Sequence, residues 1–78
     1  MSQISIEYLR KELFQEIEVT KRILQDTSLC YQATGKELAR MEGMLTMAFM
    51  CDVITIEEKN EISTLLCDLH NQQRSVSL

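Results

Sequence analysis

The chain has 78 residues, 45% of them hydrophobic, carries a formal charge of −4 and contains no proline. That leaves room for one small domain, and the acidic balance disfavours an electrostatic grip on phosphate backbones or anionic lipid. A domain of this size buries only about 60% of its unfolded surface, so its own core is marginal and association is a natural remedy.

Three cysteines, Cys30, Cys51 and Cys67, are widely spaced and odd in number, whereas a small secreted scaffold carries an even set. Residues 2–7 are polar and acidic, unlike a secretory leader. A reducing cytoplasm is therefore the expected compartment, with any redox role of the cysteines left open. No apolar run approaches the roughly 20 residues of a membrane span, and Arg40, Glu42 and Asp52 interrupt the greasiest stretch, 38–54.

Ile6, Leu9, Leu13, Ile17 and Leu24, with Thr20 between, recur at three- and four-residue steps, while Glu7, Arg10, Lys11, Glu12, Gln15, Glu18 and Arg22 fill the other faces. This pattern predicts an amphipathic helix over about 5–26, capped by Ser5 or Ser2, with Glu7 to Lys11 and Glu18 to Arg22 in the favourable i,i+4 order. Its charged side reads as a solvated face.

A connection is expected within 27–34. Residues 26–28 and 32–35 are weak helix formers, and Thr34-Gly35-Lys36-Glu37 matches the capping box that opens a helix. A rival reading is one long coiled-coil helix. Leu13, Thr20, Thr27, Thr34, Met41 and Ala48 share one heptad position, and Ile17, Leu24, Tyr31, Leu38 and Leu45 share the other. Threonines in the seam and Gly35 favour the hairpin.

The second helix is expected over 35–51. Met41, Met44, Met47 and Met50 form a ladder at three-residue steps, and each step turns about 300°, so the ladder drifts around the cylinder. Leu38, Met41, Met44, Leu45, Met47, Ala48, Phe49 and Cys51 cover about half the circumference. Behind them lie Ala39, Gly43 and Thr46, all small, a spacing that lets another helix approach. A helix greasy on several sides needs covering by neighbours, by a second copy or by a partner.

Thr55 and Glu58 make a second capping box, with Glu57 and Glu58 in the first turn where the helix dipole favours negative charge. Ile62, Leu65, Leu66 and Leu69 give the third helix one apolar face, ending near Asn71, and 72–78 reads as a flexible tail. The expected architecture is all-α: a three-helix unit of helical hairpins, about 5–26, 35–51 and 56–71, in a single domain over 1–71 that forms a homodimeric bundle.

Candidate chemistry is sparse. The M-x-x-M spacing suits Cu(I) in ligand type, but four sulfurs splayed through about 180° make poor geometry for one ion, and methionine more simply fills a helical core or an adaptable groove. Cys67 and His70 are three apart, yet no C-x-x-C or second histidine completes a zinc site. Glu57, Glu58 and Glu61 cluster without the enclosure that general acid/base work needs. No enzyme, metal or cofactor is expected. Arg10, Lys11, Lys21 and Arg22 would face a nucleic acid, but Glu7, Glu12, Glu16 and Glu18 interleave with them and spoil the field.

The stretch Arg40-Met41-Glu42-Gly43-Met44-Leu45, followed by Val53-Ile54-Thr55-Ile56-Glu57-Glu58, resembles a pattern in small all-α accessory proteins of phages and mobile elements, where an "EG-hydrophobic" helix precedes an "IT-x-E-E" helix start. The resemblance spans some 30 residues and implies a regulator or inhibitor that binds and blocks a partner protein, including anti-defence proteins such as anti-CRISPRs. The expected partners are a second copy and another protein, contacted through Leu13, Ile17, Leu38, Met41, Met44, Leu45, Met47 and Phe49. A DNA-binding repressor or antirepressor is the alternative.

Overall fold

The computed structural model describes the backbone of residues 5–77 and the side chains of residues 5–72. Three helices follow one another, α1 (Ile6–Leu24), α2 (Tyr31–Met50) and α3 (Ile56–Ser77), and no strand occurs among the described residues. The chain is all-α, as its periodicity predicts.

α1 opens on the expected cap, with Ser5 Oγ accepting the Tyr8 N–H at 3.1 Å. Ser2, the other candidate, lies outside the described residues. After Leu24 the chain leaves the helix through Gln25, and the Asp26 carboxylate takes both the N–H of Ser28 at 2.9 Å and its hydroxyl at 2.6 Å. A short acidic side chain that satisfies the backbone two residues on is a turn device that competes with further helix.

The connection therefore lies over 25–30 and not within 27–34, and α2 begins at Tyr31, one turn before the expected start at 35. Its cap is Cys30, whose Sγ accepts the Ala33 N–H at 3.4 Å. Thr34 does not act as a cap at all. Inside the first turn its hydroxyl donates to the Tyr31 carbonyl at 2.9 Å, and the side chain is fully buried. Glu37, the would-be partner of that box, instead accepts the Thr20 hydroxyl of α1 at 3.0 Å. Contacts between helices outweigh a local motif here, and the break at 25–30 ends the single coiled-coil helix as an option.

α2 closes without a glycine. Past the C-cap Cys51, Asp52 takes a positive φ of 61°, its N–H bonds the Phe49 carbonyl at 3.1 Å, and the Val53 N–H reaches back to the Ala48 carbonyl at 2.8 Å. This pair of bonds is the Schellman motif, which satisfies carbonyls that a helix end would otherwise leave open. Val53 and Ile54 are buried by the resulting turn. α3 then starts on the predicted capping box: Thr55 Oγ1 accepts the Glu58 N–H at 3.1 Å and Glu58 Oε1 accepts the Thr55 N–H at 3.0 Å. It runs to Ser77, past the expected end near Asn71, so the backbone is helical through most of the expected tail; Leu78 lies outside the described residues.

Leu13, Ile17 and Leu24 of α1, Met41 and Leu45 of α2, Val53 and Ile54 of the second connection and Leu66 of α3 form the core. Glu16 beside Arg40 and Thr20 beside Glu37 show α1 and α2 antiparallel; Glu42 beside Ser63 and Thr34 beside His70 show the same for α2 and α3. The two hairpins thus share α2. Arg10 ties the outer helices together, its guanidinium donating to both Glu58 oxygens at 2.8 and 2.7 Å and to the Val53 carbonyl at 3.2 Å. The molecule is elongated, 51 × 23 × 14 Å along its principal axes.

Candidate protein contact site

α1 and α2 touch through Leu13, Ile17, Met41 and Leu45, and toward the α1 amino end they part. The gap is an open groove of about 660 Å³. Leu9 and Leu13 form one wall, Gly43, Met44, Met47 and Ala48 the other, and Val53 and Cys51 line its end; Glu12, Glu16 and Arg40 complete the lining. Arg40 is held there by three neighbours. It donates to Glu37, lies 3.8 Å from Glu16 and places Nη1 3.1 Å from Met44 Sδ. The Arg40 hydrogen bond, followed by that of Thr20, lowers the Glu37 carboxyl below its ordinary range. The polar end of the groove is therefore organised by charge, while the rest offers hydrocarbon and thioether.

The residues expected to make contacts divide into two sets. Leu13, Ile17, Met41 and Leu45 are buried in the chain's own core, so most of their surface is spent inside one copy. Leu38 and Met44 are half-buried against that core. Met47 and Phe49 face outward, Met47 at 61% exposure, and Met50 joins them at 71%. The ladder of four methionines is split by helix geometry into one buried, one half-buried and two exposed side chains. Leu9, Gly43, Cys51 and Val53 belong to the same surface but were absent from the expected contact set. Leu9 stands in the apolar stripe of α1; Val53 falls between the expected second and third helices, and the Schellman turn brings it to the groove.

A second polar feature joins the two ends of the molecule's longer hairpin. His70, buried, stacks on Tyr31 with ring centroids 3.9 Å apart and planes 16° from parallel, and its Nδ1 lies 3.1 Å from Thr34 Oγ1. With the Thr34 hydroxyl donating to the Tyr31 carbonyl, Nδ1 must be the donor to Thr34. Gly35 lies against the other edge of the ring, where an added Cβ would stand 3.6 Å from Nε2. His70 thus helps fasten α3 to the start of α2.

The basic side chains considered for nucleic acid are partly committed to acids: Arg10 to Glu58, Lys21 to Glu18. Among the described residues no group of three or more His, Cys, Asp or Glu side chains is placed to hold a metal ion, and no helix is long and apolar enough to cross a membrane. Comparison with known proteins adds no relative: no family model, no curated protein and no solved structure matches the chain.

Proposed function

We propose that the protein is a small non-enzymatic interaction factor of the cytoplasm that binds and blocks a partner protein, in the manner of the phage and mobile-element regulators and inhibitors its central stretch resembles, and that it associates with itself through α2. The observation that carries this reading is the exposed apolar surface beside the groove. Met47 and Met50 are 61% and 71% exposed, Met47 across the groove from Leu9, in a chain whose buried core is small. Thioether side chains on an open face adapt to a partner's shape, and apolar patches rimmed by charge mark binding sites. The groove offers surface to bind, with its charged groups set at the rim and Arg40 already paired.

A DNA-binding repressor or antirepressor receives less support, since Arg10 and Lys21 spend charge on Glu58 and Glu18. The test compares the wild-type chain with a Met47→Asp, Met50→Asp variant as bait in lysate of the native host. A protein retained by the first and lost by the second is the expected result. Equal retention by both, or by neither, removes this face as the binding site.

A further inference from the structure

The groove between α1 and α2 is left open by α3. Glu42 lies about 170° around α2 from the arc of Met44, Met47 and Cys51, and it is Glu42 that accepts the Ser63 hydroxyl of α3 at 2.7 Å. α3 therefore packs against the other side of α2. Along α2 the groove runs from Arg40 to Cys51, about 16 Å or about three helical turns. Both walls are helices, whose interior backbone groups bond within the same helix, so no free ladder edge faces the groove. An extended segment laid on Leu9, Leu13, Met44 and Met47 would turn its own backbone N–H and C=O groups toward hydrocarbon with nothing to pair them. A helix arrives with those groups already bonded, and thioether side chains are flexible enough to close around its knobs.

The charges beside the groove select the kind of helix. Glu12 and Glu16 line it on the α1 side, and Asp52, exposed, stands between the lining residues Cys51 and Val53. Among the described residues Glu12 and Asp52 enter no ion pair. The lining cation, Arg40, is already flanked by Glu37 and Glu16, and Lys36, one turn before it, lies outside the lining. Carboxylates therefore set the potential at the rim, and a segment that brings cations complements it.

We propose that the groove takes one amphipathic, basic helix of a partner protein, with its apolar side on Leu9, Leu13, Met44 and Met47 and its flanking Lys or Arg side chains toward Glu12, Glu16 and Asp52. The proposal rests on the reading above that this surface binds a partner protein, and adds the chemistry of the segment it takes. None of this chain's own helices carries a net positive charge, so a second copy does not supply that segment. Met47 also belongs to the α2 surface through which the chain associates with itself in that reading, and the two events compete for it.

Two synthetic peptides of about 16 residues, long enough to present three turns, test the proposal by fluorescence anisotropy and difference circular dichroism. One carries Leu at helical i, i+3, i+4 and i+7 spacing with Lys at the other positions; the second has Glu in place of each Lys. The Lys peptide should bind the full chain, gain helix on binding and be released by salt, and the Glu peptide should not bind. Glu12→Lys should weaken the Lys peptide about tenfold or more, while Glu61→Lys, the same charge change at an exposed site of α3, should leave its affinity within about twofold. Equal weakening by the two variants means attraction to net charge alone and overturns the groove as the site. Equal binding of both peptides, lost in Met47→Asp, overturns the basic partner and leaves the apolar contact surface standing. Binding of neither peptide overturns the helical occupant; a dimer dissolved by Met47→Asp then makes a second copy the occupant, and the comparison in host lysate decides the contact surface separately.

Discussion

Gly43 sits in the middle of α2 with no positive φ and open space where a side chain would be. Nothing within the single chain requires glycine there, and glycine costs a helix interior about 0.5–1 kcal/mol relative to alanine. In the Met47→Asp background, where the monomer is studied alone, Gly43→Ala should therefore raise the unfolding free energy by that amount, read as a higher urea midpoint at unchanged m; an unchanged or lower midpoint contradicts the open space described there. The residue's smallness is legible in sequence, its emptiness is not. Periodicity puts Gly43 behind the apolar half of α2, but whether a neighbour fills the space depends on where α1 and α3 lie. His70 shows the same limit. Its burial depends on Tyr31 and Thr34 being helical, and the sequence, with a capping box at Thr34, points to a later start for α2.

At the level of elements, local chemistry is legible where the motif faces solvent. Ser5 caps α1 as its sequence predicts, and the Thr55–Glu58 box caps α3 because Glu58 Oε1 can accept the Thr55 N–H while its carboxylate also takes Arg10. The Thr34–Glu37 box fails because both side chains find partners on other helices, Thr34 on α3 and Glu37 on α1. Glu58 does both jobs, capping α3 and clamping Arg10 of α1. The Arg10 hydrogen bonds, then the Thr55 backbone N–H, bring its carboxyl from an ordinary 4.5 down to about 2. A carboxyl lowered on folding stabilises the native state above its unfolded pKa, and that contribution is lost as pH falls through the folded value. Stability should therefore decline from about pH 5 toward pH 2, and Glu58→Gln should flatten that decline while lowering stability at neutral pH. Both partners are partly exposed, so water screens the pair and the effect is modest. Urea midpoints for the two proteins across this interval decide it; parallel curves would show that the clamp does not couple to folding.

For the whole molecule, the sequence shows that α2 carries more apolar surface than two flanking helices cover. Which methionines stay outside follows only from the packing. Met41 is taken by the core with Leu13, Ile17 and Leu45, Met47 is left exposed at the groove and Met50 is left exposed near the end of α2. If a second copy covers these exposed side chains, folding and association are linked, and the native state is favoured by mass action. A tenfold rise in concentration then contributes about 1.4 kcal/mol per mole of dimer. Divided by an unfolding entropy of about 2.1 cal/mol/K per residue over two chains, this raises the melting temperature by about 4 °C. The wild-type protein should show that dependence in calorimetry, and Met47→Asp should melt at one temperature whatever its concentration. A wild-type melting temperature that does not move would mean that the small core within one copy is enough to hold α1, α2 and α3 together, leaving the methionine face with no part in stability.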